Sequence, residues 1–513
     1  MSTSPAVTDA PFRLMADLIG EHAQRQPGHA ALRDDEHALS YAQLDALMDR
    51  VAAALQQGGV QAGETIAICA LNSVRYAALF LGALRAGVVV APLAPSSTAE
   101  SLASMLRDAQ ARCLFVDQAA PALPDAQGLP RIWLDGSGPG AAFDDWLAPE
   151  GARPQAVPVT PESAFNIIYS SGTTGTPKGI VQPHGMRWMH VRRGAQQGYG
   201  PNGTTLLATP LYSNTTLVVF FPTLAYGGAV VLMRKFDALR YLQLAQQHRA
   251  THTMLVPVQY QRIMALPQFG EFDLSSFRFK FCTSAPFRAE LKADVLARWP
   301  GGLTEFYGMT EGGGTCILDA HLHPGKLHTV GQPAAGHDIR LIDEDGHEVA
   351  PGAAGEVVGH SPGMMSGYHG QPEKTREAEW FDASGKRFIR TGDVGRFDAE
   401  GFLTLIDRRK DMIISGGFNI YPSDLEAALR QHPAVQDVAV VGVPSEQWGE
   451  TPVAFVVPSA GSAVAPDELM AWYHQRAGKT QRLAGLRLVA ELPRSPIGKV
   501  LKRDLREAWS PAR

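Results

Sequence analysis

The sequence predicts an α/β fold: a large N-terminal domain of α/β layers with mostly parallel sheets, followed by a small C-terminal α+β domain. Three observations predict it. Residues 60–93 read strand, helix, strand, since ETIAICA is an apolar run, SVRYAALFLGALRAG has helical spacing, and VVVAPL is β-branched and then broken by proline. The same alternation returns at 205–209, 217–231 and 252–255, and such continuous apolar runs suit parallel strands buried on both faces. Near the C-terminus the charged segment DRRKD, 407–411, separates the apolar runs FLTLI and MIISGG, as an exposed joint between domains would.

Taken in order, residues 117–162 are rich in Pro, Ala, Gly and Asp and are expected to be surface connections. FNII, 165–168, reads as a strand, and the apolar stretch 217–222 as a helix. After the charged joint, Pro422 opens a helix in which Ser423 and Glu426 have capping-box spacing, and VAVVGV and PVAFVV follow as strands. The expected division is therefore 1–408 and 409–513.

At 513 residues, with 45% apolar and 19% charged content, the chain has room for more than one domain. Its net charge of −5 is too mild for nucleic-acid or membrane-surface binding as a main role. No run reaches a membrane span, and the N-terminus carries neither a basic leader before an apolar core nor an Arg-rich amphipathic pattern. Four cysteines at 69, 113, 282 and 316 have no C-x-x-C spacing, which argues against a disulfide framework or a cysteine zinc site. A soluble, reduced, cytoplasmic enzyme is expected, with the question of a homo-oligomer left open.

The segment YSSGTTGTPKG, 169–179, follows the FNII strand and so leaves a strand end, where α/β proteins place ligands. Gly172, Gly175 and Gly179 permit tight turns, Ser170, Ser171, Thr173, Thr174 and Thr176 offer hydroxyls, and Lys178 a charge. Together they can wrap a polyphosphate. Pro177 and Gly179 exclude the common G-x-x-x-x-G-K-[ST] phosphate loop.

This loop resembles the signature of the adenylate-forming superfamily of acyl-CoA synthetases, luciferases and peptide-synthetase adenylation domains. Tyr307-Gly308-Met309-Thr310-Glu311, Arg390-Thr391-Gly392-Asp393, 407–419 and 493–499 resemble its later motifs in the same order, over nearly the whole chain. The resemblance implies an ATP-dependent carboxylic acid–CoA ligase, with ATP and coenzyme A as co-substrates and Mg²⁺ as cofactor. Thr310 would contact the α-phosphate, Glu311 would hold Mg²⁺, Tyr307 would pack on adenine, and Asp393 would clamp the ribose with Arg408 beside it. Ser284, Ala285, Pro286, Glu305, Phe306, Gly308 and Met309 would complete the nucleotide site. Lys499 would meet the carboxylate and α-phosphate during adenylation; the mobile C-terminal domain would then turn about Lys410, removing Lys499 and bringing Ser415, Gly416, Gly417 and Phe418 to the acyl-adenylate for thiolation.

For the acyl pocket the resemblance points to Tyr212, Ser213, Asn214 and Leu217. Ser213 stands where many relatives carry an aromatic residue or histidine, and Asn214 where amino-acid-activating relatives carry an aspartate; an uncharged amide does not compensate a buried ammonium. A fatty, alicyclic or aromatic acid is therefore expected. The alternatives are a stand-alone enzyme loading a carrier-protein thiol, a luciferase-type monooxygenase, and a nucleotide-binding homologue without activity. Gly359-His360-Ser361-Pro362-Gly363 matches the serine-hydrolase elbow, but Pro362 lacks the N–H that an oxyanion needs. His321 and His323 lack further metal ligands in pattern and are expected in a polar loop.

Overall fold

The computed structural model describes residues 11–121, 128–170, 178–408, 411–415, 418–445, 448–477, 482–495 and 498–509. They form two compact units: the first runs to Asp338 and resumes over Gly359–Ile389, while the second holds Ile339–Val358 and the chain from Arg390 onward. This division does not coincide with 1–408 and 409–513, because the chain first leaves the large unit at 339 and crosses again inside the strand Arg387–Phe397.

In the first unit, six parallel strands form the middle of a nine-stranded sheet, in the order Ala30–Arg33, Ala229–Leu232, Thr204–Leu207, His252–Leu255, Phe279–Cys282, Gly302–Gly308. Antiparallel strands close its edges: Ala38–Ser40 on one side, Thr315–Asp319 and Gln332–Pro333 on the other. A second sheet of eight strands holds Thr65–Cys69, Val89–Leu93, Leu114–Val116 and Ala164–Ser170 in parallel, with Lys178–Pro183 and Gly367–Tyr368 antiparallel at one edge. The βαβ reading of 60–93 is the structure's own: strand Thr65–Cys69, helix Val74–Arg85, strand Val89–Leu93, every strand residue buried. Ser73 starts that helix by accepting the Tyr76 N–H at 3.1 Å.

The stretch 117–162 differs from expectation. Arg131–Trp133 and Ala141–Ala142 add parallel strands to the second sheet, and Phe143–Trp146 forms a helical turn packed against Phe115. Two- and three-residue strands leave no periodicity to read among prolines and glycines.

In the second unit, Val435–Ser445 and Gly449–Pro458 form a long antiparallel pair, joined by Gly485–Leu488 and by Ile413–Ser415 with Phe418–Ile420. Helices Pro422–Leu429 and Pro466–His474 cover one apolar layer, and Lys502–Ala508 another. The capping box expected at Ser423 and Glu426 is absent. Pro422 is the first helical residue after Tyr421, the Asp407 carboxylate accepts the Ser423 N–H at 2.9 Å, and the Ser423 hydroxyl donates to the Ile406 carbonyl at 2.5 Å. Glu426 instead accepts the Val440 N–H at 2.9 Å and pairs with Lys502 at 3.1 Å. All four cysteines are free and buried. Among the described residues no helix is long and apolar enough to cross a membrane.

Candidate active site

Strand Ala164–Ser170 ends and strand Lys178–Pro183 begins at a paired position, Ser170 opposite Lys178, so the Gly/Thr-rich loop springs from neighbouring antiparallel strands. Ser171, Gly172, Thr173, Thr174, Gly175 and Thr176 lie outside the described residues, as does the side chain of Ser170. The base of the loop is tight. A Cβ on Gly179 would come 2.9 Å from Ile167 and 3.1 Å from Asp108, the carboxylate to which Tyr169 donates at 2.6 Å. Lys178 lies 5.0 Å above the Tyr368 ring, and the Tyr368 hydroxyl donates to Glu311 Oε1 at 2.9 Å. Burial and the neighbouring Glu311 carboxylate both hold that phenol in its protonated, donating form.

Strand Gly302–Gly308 delivers the YGMTE residues from the sheet. Along it Thr304 donates to Asp319 at 2.6 Å, Glu305 is buried against Lys292, and Phe306 is buried. Lys292 also donates to the carbonyls of Leu327 at 2.8 Å and Thr329 at 3.0 Å, so the Glu305 carboxylate is engaged inside the unit and its main chain is what it can offer a nucleotide. Tyr307, Met309, Thr310 and Glu311 are half-buried and Gly308 is exposed.

A turn follows that only glycine can make: Gly312 has φ +76°, and a Cβ there would sit 2.3 Å from the Gly363 carbonyl. Ser361 is buried and donates to the Gly312 carbonyl at 2.7 Å, which makes the apparent hydrolase serine a brace for this turn. His321, similarly, turns its Nδ1 to the Leu303 carbonyl at 3.2 Å.

Behind Thr310 stands a network of side chains that the motifs do not contain. Gln182 Nε2 donates to the Thr310 carbonyl at 2.6 Å, and Gln182 Oε1 accepts from Asn166 at 3.0 Å and from Arg187. The buried Arg187 guanidinium also donates to Asn166 Oδ1 at 3.1–3.2 Å and to Asn214 Oδ1 at 2.7 Å. A guanidinium has no acceptor, so Asn214 must turn its oxygen toward Arg187 and its NH₂ away. Gln182 Nε2 also approaches that oxygen at 3.3 Å.

Ser213 caps helix Asn214–Ala225, its hydroxyl accepting the Thr215 N–H at 3.3 Å; Leu217 on that helix is wholly buried in the core, and Tyr212 is half-buried. Ser284 holds φ +81°, a costly conformation for a residue with a side chain, and its hydroxyl meets Thr215 at 2.6 Å. Ala285 beside it is half-buried and Pro286 exposed.

In the second unit, Asp393 lies within strand Arg387–Phe397. Gly392 takes φ +71° inside the strand, and a separate register shift lies between Val394 and Gly395. Thr391 donates to Val357 at 2.8 Å and accepts the Asp393 N–H at 3.0 Å, while Arg390 forms a two-pronged pair with Glu356 at 2.6 and 3.3 Å. Lys499 is exposed after a tight turn in which Gly498 has φ +78° and Ser495 N donates to the Lys499 carbonyl at 2.8 Å. Ser415 is half-buried at a strand end. Lys410, Gly416 and Gly417 lie outside the described residues, and so do the side chains of Arg408 and Phe418.

Asn166, Gln182, Arg187 and Tyr368 escape a motif reading. Their one sequence signal is a polar residue interrupting an apolar stretch, as Asn166 does in AFNII and Gln182 in GIVQP. For a hard cation, which takes oxygen ligands, Glu311 fits: Tyr368 occupies one carboxylate oxygen, and the other has no hydrogen bond among the described residues. The cluster Asp343, Asp345 and His347 is exposed, and Asp343 accepts the backbone N–H groups of the other two in a turn.

The AMP-binding enzyme family model matches residues 19–369, and the model of the AMP-binding enzyme C-terminal domain matches 424–499. The chain is similar to a feruloyl-CoA synthase of Amycolatopsis sp, 35% identical with 95% of this chain and 97% of the relative covered. It is also similar to an indoleacetate–CoA ligase of Aromatoleum aromaticum, 33% identical with 96% and 98% covered. Among solved structures, ATP-bound MatB from Rhodopseudomonas palustris superposes with a TM-score of 0.84 at 28% identity, covering 96% of this chain and 98% of that one. From the ordered motifs, the two-sheet first unit and these matches, the chain belongs to the AMP-binding enzyme family, and carries that family's C-terminal domain.

Proposed function

We propose that the protein is an AMP-forming acid–CoA ligase that activates a fatty, alicyclic or aromatic carboxylic acid. A carboxylate oxygen attacks the α-phosphorus of ATP and pyrophosphate leaves; the coenzyme A thiol, losing its proton, then attacks the acyl carbonyl and AMP leaves. The observation that carries the reading is the Thr310–Gln182–Arg187–Asn214 network, which ties the YGMTE turn to a buried cation; in this reading the Asn214 NH₂ would donate to the incoming carboxylate. Bound Mg²⁺ would neutralise phosphate charge as it develops, and Glu311, oriented by Tyr368, would hold it.

Thr310 would donate to the α-phosphate, Tyr307 would face adenine, Asp393 and Arg408 the ribose, and Lys499 the reacting oxygens. The functional boundary would lie at 408/409, with Lys410 as hinge and 415–418 serving thiolation. A cytoplasmic site of action accords with these substrates.

A screen of pyrophosphate release over fatty acids, benzoates and cinnamates, with coenzyme A or carrier proteins as acceptor, tests the reading. The expected result is acid-dependent pyrophosphate with stoichiometric AMP and acyl-CoA. Transfer to carrier proteins alone, or ATP binding without pyrophosphate release for any acid, would contradict it.

A further inference from the structure

Helix His184–Arg193 sets Arg187, His190 and Arg193 three residues apart along one stripe, while Met186, Trp188 and Val191 are buried on its other sides. Arg187 belongs to the Thr310 network. Arg193 lies six residues further, roughly 9 Å along the helix axis at 1.5 Å per residue. There its guanidinium sits 4.8 Å over the ring of Phe306, the residue before Tyr307. His190, Tyr199 and His337 gather close enough to interact electrostatically with it. Tyr199 is fixed in turn by stacking on His252, ring centroids 4.4 Å apart.

Several buried polar atoms around Arg193 lack partners among the described residues. Arg193 Nε, His190 Nδ1 and the Tyr199 and Tyr226 hydroxyls are shielded from solvent and form no hydrogen bond among the described residues. Nor, among the described residues, does either arginine face a carboxylate there: every side-chain acceptor of Arg187 is an amide, and Arg193 has no ion pair. Burial lowers their proton affinities only to about 9 for Arg187 and about 10 for Arg193, so both stay charged at neutral pH. Burial, with the arginines nearby, keeps His190 and His337 neutral. Desolvated cations without a counter-charge are costly, and an anion entering beside Arg193 would both pair the guanidinium and satisfy the phenol and imidazole.

We propose that the substrate carries a second carboxylate, held by Arg193 with Tyr199 and His190, while the reacting carboxylate lies toward Asn214 and Thr310. The acid is then a medium-length dicarboxylate, or an aryl acid with a remote carboxylate, whose two ends are separated by roughly the six-residue helix rise. This rests on the ligase reading and deepens it by naming the substrate class.

Matched acids test it: suberate against octanoate, and 4-carboxycinnamate against 4-methylcinnamate and 4-hydroxycinnamate. Acyl-CoA formation and calorimetric binding are measured for the wild type, Arg193→Gln and Arg193→Lys. The wild type should prefer each dicarboxylate over its apolar partner by on the order of 100-fold in both readouts, as expected for a buried charge pair. Arg193→Gln should bring the ratio toward one, and Arg193→Lys should retain part of it. Equal use of suberate and octanoate, or a preference for 4-hydroxycinnamate over 4-carboxycinnamate, would overturn the proposal while leaving the ligase standing. Tight suberate binding without acyl-CoA from any acid would uphold the dicarboxylate site and overturn the ligase.

Discussion

Gln182 Nε2 donates to the main-chain carbonyl of Thr310 at 2.6 Å, which ties the YGMTE turn to the strand that begins at Lys178. The same amide accepts from the buried Arg187, so one side chain serves both the turn and the cation behind it. Gln182→Ala removes a donor and an acceptor at once. It should lower adenylation by on the order of 10- to 100-fold and stability by about 1–3 kcal/mol, the cost of leaving buried polar groups unpaired. Acid-dependent pyrophosphate exchange and a urea melt check the two effects separately.

Tyr368→Phe deletes only the hydroxyl that donates to Glu311, leaving the ring beneath Lys178. With that oxygen released, the carboxylate loses orientation. The variant should need several-fold more Mg²⁺ for half-maximal pyrophosphate release, by roughly 3- to 10-fold if one hydrogen bond to a charged group is lost. An unchanged Mg²⁺ dependence would remove Glu311 from the metal role.

Acid sensitivity follows from histidines buried in neutral form. Burial lowers His184 and His252 to about 4 from the ordinary 6.5. Between those values the unfolded chain binds more protons than the folded one, so stability rises with pH across the window and is lost as pH falls through it. Each histidine contributes a slope of up to about 1.4 kcal/mol per pH unit. Thermal midpoints should therefore drop below about pH 6 and keep dropping toward about pH 4.5, and a flat profile there would contradict the neutral assignment.

Much of this site was legible because its chemistry sits in contiguous segments. Thr310 and Glu311 share one turn, and the glycines that shape it are adjacent in sequence. Arg187, Asn166, Gln182 and Asn214 were not legible as a group, since two sheet strands and two helices bring them together and each alone looks like an isolated polar residue. The helix at Pro422 shows the converse error. Ser423 and Glu426 have the right spacing for a local cap, yet Asp407, from the earlier strand Leu403–Arg408, accepts the Ser423 N–H instead. Gly392 looks like a turn residue in RTGDVG, yet it takes its left-handed φ inside a continuous strand. The stripe Arg187, His190, Arg193 has helical spacing, but only the surrounding burial separates it from a solvated face.

The two-step account is tested most directly by Lys499→Ala assayed in each half-reaction: pyrophosphate exchange from acid and ATP, and thioester formation from preformed acyl-adenylate and coenzyme A. Loss of the exposed cation that would meet the carboxylate and α-phosphate should cut exchange by on the order of 100-fold or more, with thiolation changed by less than about 3-fold. Equal losses in both steps, or undiminished exchange, would contradict it.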